Sequence, residues 1–409
     1  MSVSDALLVS QDEGTDKIAL ALSGGGSRAM AFHLGCLRAL HDLGVLQRVS
    51  TITAVSGGSV LAGLYCSHPG DFEAFEARVR EVLREGFAKP ALRRALSSAD
   101  GVKAVAYASA LVVERSVAFF WRIGQRIFRK WKRGEHWPNS APFLRKASRT
   151  TIMRNVFSKT FNGCLLKNLR HDRPQLIVIA CELRAKAAFY YTRDRLHCWR
   201  YGSASSESVE LADAVVASAA YPAFLPALDQ RLTFTKTKGV LEEENTHRIT
   251  LTDGGVYDNL GLAPLWPDRD FSESLPVPRH NWIIACRAGY GLEVTEPASM
   301  WGSRMGASFE SVFARAQNLA TKRLFDLKEL GMLKGFMLPY LGQKDSSLKY
   351  TNRDMVTAES TAGYATDFNA MDKEWIERLV RRGEQIVHAQ FKQHWQSNSA
   401  DSDEKANVN

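Results

Sequence analysis

Residues 18–28 read IALALSGGGSR, and residues 51–58 read TITAVSGG. Both stretches run from a short apolar or β-branched segment into glycines, the mark of a buried strand entering a tight turn. Helical patterning follows each one. From Ala29 to Leu46 the residues Met30, Leu34, Leu37 and Leu40 trace one helical face, and Gly44 supplies a helix stop. Residues 59–66 read as the second helix. Strand, glycine turn and helix, repeated, open an α/β fold with a mainly parallel sheet flanked by helices.

Strand patterns return at 175–181 (QLIVIAC), 187–192 (AAFYYT), 248–252 (RITLT) and 282–286 (WIIAC), with a short strand near 335–338. Residues 211–220 form a short helix that ends before Pro222, and 307–329 and 366–395 read as long helices. Residues 230–250 read as a hairpin or loop with a charged EEE tip. The stretch 71–150 differs in being rich in Arg, Lys and aromatic residues. The expected plan is therefore one main domain over 15–395, a helical, basic insertion or cap within 71–170, and a disordered, polar tail over 396–409.

Length and composition agree with that plan. The chain has 409 residues, 45% of them hydrophobic, and a single core rarely grows past about 250–300 residues. Lys and Arg number 53 against 44 Asp and Glu, a net charge of +9. Such an excess favours anionic surfaces, phospholipid headgroups or nucleic acid, without choosing between them. The six cysteines are scattered, with no C-x-x-C pair. That pattern argues against a disulfide framework or structural zinc and for reduced thiols in a cytoplasmic protein. The N-terminal residues have no basic-then-apolar leader pattern, and no stretch of about 20 residues is free of charge. The expectation is a cytoplasmic protein without a signal peptide or transmembrane helix, able to lie peripherally on a membrane.

Three features carry chemistry. The first is the loop Ser23-Gly24-Gly25-Gly26-Ser27-Arg28 between strand and helix. Its glycines allow close backbone approach, and N–H groups at a helix start hold anions. The anion could be a phosphate or the oxyanion of a tetrahedral acyl intermediate. Gly24, Gly26 and Ala29 fit a dinucleotide-binding spacing, but the second strand ends in Ser56 where the ribose needs an acid. A Walker loop needs a lysine, which this loop lacks.

The second feature is Ala54-Val55-Ser56-Gly57-Gly58. A serine among small residues on a strand-to-helix turn has the form of a nucleophile elbow, although Ala54 replaces the first glycine of G-x-S-x-G. A serine N-cap in a glycine turn reads the same way. The third feature, Asp253-Gly254-Gly255 after RITLT, is by itself only a turn.

Together, in this order, SGGGSRAM, AVSGGS and DGGVYDNLG resemble the patatin-like phospholipase family. The run Ala217-Ser218-Ala219-Ala220 with Pro222, Phe224 and Pro226 resembles the family's segment before D-G-G. The likeness is best over 18–66 and 210–262. It implies a three-layer α/β/α fold and a lipid acyl hydrolase of the phospholipase A or lysophospholipase type. It further implies Ser56 as nucleophile, Asp253 as its base without a histidine, and Gly24, Gly25 and Gly26 as oxyanion donors. Arg28 takes the family's basic position, to steady the loop or meet a headgroup phosphate. Gly57, Gly58, Gly254 and Gly255 support the two turns.

An exposed aspartate titrates near 4 and is a poor base for a serine hydroxyl. The dyad therefore requires Asp253 to be buried and close to Ser56. A Ser-Asp-His triad would use Ser56, Asp253 and His280 or His388, whereas His33 reads as a packed helix residue. The same motifs also admit a non-catalytic lipid-binding relative or a nucleotide-binding protein. No cofactor, metal or nucleic acid is expected. The expected partners are a phospholipid or lysophospholipid and, through 118–134, an anionic membrane. On a helix, Arg122, Arg126, Arg129 and Arg133 share one face and Phe120, Ile123, Ile127 and Trp131 another. The same pattern fits a helix packed on the core with a solvated basic face, or a lid.

Overall fold

A computed structural model of the chain describes residues 17–127, 147–222, 224–238, 241–290, 300–350 and 354–395. The first half runs β1 (Ile18–Leu22), α1 (Gly26–Asp42), β2 (Val49–Ala54), α2 (Gly57–Ser67), α3 (Phe72–Glu85), α4 (Ala88–Ser97), α5 (Ala99–Ile127) and α6 (Arg149–Thr160). The sheet resumes with β3 (Gln175–Glu182), β4 (Ala187–Tyr191), β5 (Leu196–Cys198) and β6 (Gly202–Ala204). After α7 (Leu211–Ser218) come β7 (Leu228–Lys238), β8 (Leu241–Asp253), α8 (Gly255–Asp258) and β9 (Trp282–Cys286). The remainder is α9 (Trp301–Glu329), β10 (Gly335–Met337), α10 (Ala358–Thr361) and α11 (Lys373–Gln390).

The strand order is β10-β9-β1-β2-β3-β4-β5-β6-β7-β8, with β3 also paired to β8. The first five strands are parallel neighbours, as the glycine-turn repeats predict. From β3 onward every pairing is antiparallel, and the β3–β8 contact closes a six-stranded ring. The expectation of a mainly parallel sheet is therefore corrected: the sheet is half parallel and half an antiparallel ring. The reason is connection length. Parallel neighbours need a long crossover, whereas residues 183–186, 192–195 and 199–201 are links short enough only for antiparallel pairing. The 230–250 region forms the β7–β8 hairpin that completes the ring.

Strand β3 belongs to both halves, and all of it but Gln175 is buried. That explains its unbroken apolar run. Both faces of the sheet are covered. One carries the larger core with α1, α2, α3, α6, α7 and α11. The other packs Ala19, Ala21, Val55, Ile177, Ile179 and Ile283 beneath 260–266 and the C-terminal half of α9. Helix α1 is buried on more than the one face its spacing predicts, because α11 lies against it. A methyl on Gly35 would meet the Val380 carbonyl oxygen at 1.8 Å, and one on Gly383 would meet that of Phe32 at 2.2 Å.

Within 71–170, α3 and α6 contribute Phe75, Val79, Leu83 and Phe157 to the common core, whereas α4 buries no residue. The backbone of α5 continues through Ile127. The basic face proposed for 118–134 involves side chains outside the described residues, as does the tail 396–409. Among the described residues no helix is long and apolar enough to cross a membrane.

Candidate active site

The three glycine motifs meet at the C-terminal ends of β1 and β2, where open α/β sheets bind ligands. Register explains how Asp253 joins them. Ala54 of β2 pairs with Val178 of β3, and Ala180 pairs with Asp253 of β8. Ser56 lies two residues beyond Ala54, and Ala180 lies two beyond Val178. The nucleophile candidate and the acid are therefore level with one another across β3.

Ser56 caps α2 with φ 51° and ψ −121°. A non-glycine residue rarely adopts this left-handed φ, which costs on the order of 1–3 kcal/mol and is typical of functional turns. The surroundings hold the turn in place. The Ser56 N–H donates to Ser218 Oγ at 2.8 Å, and the Gly58 N–H donates to the Val55 carbonyl at 2.8 Å. Ser56 makes no side-chain cap bond to its helix, unlike an ordinary serine N-cap. Ala54 is fully buried and the elbow forms with it in place.

Asp253 ends β8 and is 4% exposed. Its Oδ1 accepts the Gly255 N–H at 2.7 Å. Burial raises its pKa to about 7, against the opposing effects of the Gly255 N–H and the neighbouring Ser56 side chain. The burial expected of a direct base is present, and the register places Ser56 beside it. Two main-chain bonds fix the turn: Asp253 N–H to the Ala220 carbonyl, and Gly254 N–H to the Ser218 carbonyl, each at 3.1 Å. The end of α7 thus holds both halves of the pair, through Ser218 on one side and Ser218 and Ala220 on the other.

The glycine loop closes the site. Gly25 has φ 142° and Gly26 φ 59°. The Gly24 N–H is already donated to the Asn259 carbonyl at 3.3 Å. Among the described residues the N–H groups of Gly25 and Gly26, at the start of α1, have no such partner. Arg28 is nearly buried. Its guanidinium donates to the carbonyls of Ala288 (2.9 Å) and Tyr364 (3.0 Å) and lies 4.5 Å from the centre of the Tyr290 ring. Of the two roles the resemblance allowed, its geometry supports steadying the loop.

The histidines lie elsewhere. His280 Nε2 bonds Thr51 Oγ1 (3.0 Å) and Ser50 Oγ (3.1 Å), near the start of β2, and burial lowers its pKa to about 4. His33 is buried in α1 against the Cys286 carbonyl, its pKa lowered to about 3. His388 lines a cleft of about 970 Å³ with Arg38, Asp354, Arg381 and Glu384, which contains none of the three motifs. Among the described residues no hydrogen bond joins a histidine to Ser56 or Asp253.

The family model for patatin-like phospholipases matches residues 20–266, which contain all three motifs. The chain belongs to the patatin-like phospholipase family. Among solved structures, human GIVD cytosolic phospholipase A2 is similar over 94% of this chain and 60% of its own, at 13% identity and a TM-score of 0.51. VipD from Legionella pneumophila is matched over 92% of this chain and 67% of its own, at 16% identity and a TM-score of 0.37. The chain spans about three-fifths of the length of the human enzyme's structure. No curated protein sequence matches it. The patatin-like match ends at 266, yet later segments complete the site. Strand β9 pairs with β1, and the Asp367 carbonyl accepts the Ser27 N–H at 2.7 Å beneath the glycine loop.

Two residues inside the quoted motifs prove to have roles that the motifs do not spell out. Ser218 sits in the small-residue run at the end of α7, where only that run of small side chains hinted at a close approach. Asn259, in DGGVYDNLG, holds Gly24 through its carbonyl. Its Oδ1 would lie 2.5 Å from a methyl on Gly24 and 2.7 Å from one on Gly255.

Proposed function

We propose that the protein is a lipid acyl hydrolase of the phospholipase A or lysophospholipase type, working through a Ser56–Asp253 dyad. The observation that carries this reading is that a buried Asp253 lies level across β3 with Ser56, a serine in a left-handed elbow, and that both are held by Ser218. Ser56 Oγ attacks the ester carbonyl carbon as its proton passes to Asp253. The carbonyl π electrons move onto oxygen, and the N–H groups of Gly25 and Gly26 stabilise that oxyanion. Gly24 acts one step back, because its own N–H is held by Asn259. When the tetrahedral intermediate collapses, the carbon–oxygen bond to the alcohol breaks and Asp253 protonates the leaving oxygen. The acyl-enzyme is then hydrolysed by water, which gives its proton to Asp253 as it attacks; the proton returns to Ser56 as the fatty acid leaves.

A carboxylate that titrates near 7 is a better match to this task than one near 4, since a general base is most effective near the working pH. The substrate class rests on the family, and headgroup and positional preference belong to the assay. Fatty acid release should be measured from a panel of phospholipids, lysophospholipids, triglycerides and simple esters. Release by the wild type with at least about a 10³-fold loss in Ser56→Ala is the expected result. Equal release by wild type and variant would end the reading. Contact of 118–134 with anionic membrane is part of the same proposal. Deleting those residues should weaken sedimentation with anionic liposomes, and unchanged sedimentation would refute that contact.

A further inference from the structure

The close packing of α1 on α11 brings together three ionisable side chains from distant parts of the chain. Asp42 is the last residue of α1, and Glu384 and His388 belong to α11. The two α11 residues are spaced i, i+4, which puts them on one helix face a turn apart. One carboxylate oxygen of Asp42, one of Glu384 and one ring nitrogen of His388 all lie within 4.8 Å of one another. Among the described residues no other three carboxylate, imidazole or thiol groups converge in this way.

The surroundings suit a divalent cation. Asp42 and Glu384 bring two negative charges, and the end of α1 adds the negative pole of a helix dipole. Arg38 stands 3.8 Å from Glu384 Oε2, but its guanidinium is already bound by both oxygens of Glu76. It steadies Glu384 from outside rather than neutralising it. His41 Nδ1 stands 3.5 Å from Asp42 Oδ1, and its ring stacks on Phe72. Outer partners of this kind orient metal ligands. The His388 imidazole makes no hydrogen bond among the described residues, so its ring nitrogens are available. A cleft of about 970 Å³ reaches Glu384 and His388 and leaves room for water on an ion. Of the cations lining that cleft, Arg381 is paired with Asp354. Lys349 and Lys392 also line it and weaken a cation's hold without bonding any of the three ligands.

We propose that Asp42, Glu384 and His388 bind a divalent cation of the zinc type, with water as the fourth ligand, and that the ion clasps the end of α1 to α11. One imidazole nitrogen and two carboxylate oxygens form a set that zinc accepts. Ligand atoms on one tetrahedral zinc stand about 3.4 Å apart, so small side-chain rotations close the site. It lies at the opposite end of α1 from Gly26, about 24 Å along the helix. The ion therefore adds stability and takes no part in acyl chemistry, and the proposal is independent of the hydrolase reading.

The test is zinc binding to the full chain after it has been stripped with a chelator and dialysed. The wild type should take up one equivalent in competition with a chromophoric chelator. Its melting temperature should rise by about 2 °C or more at about 100 µM zinc. Asp42→Asn, Glu384→Gln and His388→Ala, none at a buried position, should each weaken binding about tenfold or more and shrink that rise. Metal-free melts near the wild-type value check that the variants fold. His171→Ala, at an exposed histidine outside the group, should change neither reading. No zinc uptake by the wild type, or uptake that all three variants retain, would overturn the proposal. So would a loss confined to His388→Ala, which would mark a lone surface histidine.

Discussion

Gly57 lies so close to Gly26 that a methyl group on its Cα would stand 2.1 Å from the Gly26 carbonyl oxygen. The serine turn and the glycine loop are thus packed backbone to backbone, with no room for a side chain between them. Such contact fixes the distance between Ser56 and the Gly25 and Gly26 N–H groups.

Gly57→Ala should therefore act on both loops at once. The Gly26 main chain would have to move, and Asp367 pins it from the other side, its carbonyl oxygen 2.2 Å from a methyl on Gly26. The expected result is a loss of about 3 kcal/mol or more in urea unfolding, or a folded protein with at least about 100-fold lower kcat. Wild-type stability with wild-type activity would show that the loops are not coupled in this way.

Asp253 predicts opposite pH trends for activity and stability. Its pKa is raised from 3.8 to about 7, chiefly by burial. The dyad needs the carboxylate, so kcat/KM should climb as pH rises through about 7 and level off above it. Between about 4 and about 7 the folded state holds a proton that the unfolded state has lost, so this group's contribution to stability falls as pH rises. Asp253→Asn should remove that dependence. The variant should be inactive yet gain stability relative to wild type at pH 8, by up to a few kcal/mol, with the gain shrinking at pH 5. Thermal melts of both proteins at the two pH values test this; a gain equal at pH 5 and pH 8 would contradict the assignment.

The histidines predict an absence of effect. Because His280 is bonded to Thr51 and Ser50 and His388 lines a separate cleft, His280→Gln and His388→Ala should keep kcat/KM within about threefold of wild type. The conclusion is read from folded protein, checked by circular dichroism. A loss of 10³-fold in either, with folding intact, would replace the dyad by a triad.

Much of the site is legible in the sequence because its parts are local. A strand, a serine and two glycines have the form of an elbow within a few residues, a form shared by a serine N-cap, and three glycines before a helix have the form of an anion loop. What the sequence hides is what depends on distant packing. The antiparallel ring is one case, because the runs at 175–181 and 187–192 reveal strands but not the direction of pairing, which the short links between them decide. Ser218 has no pattern of its own, since its hydroxyl matters only through the Ser56 N–H that it meets 162 residues away. Arg28 invites a headgroup in sequence, whereas Ala288 and Tyr364, both far along the chain, occupy its guanidinium.

The most direct measurement is active-site labelling with a fluorophosphonate probe, read by mass spectrometry of the digested protein. The account predicts one adduct, on Ser56, absent in Ser56→Ala and strongly slowed in Asp253→Asn. Labelling that persists in Ser56→Ala, or that maps to another serine in the wild type, would contradict it.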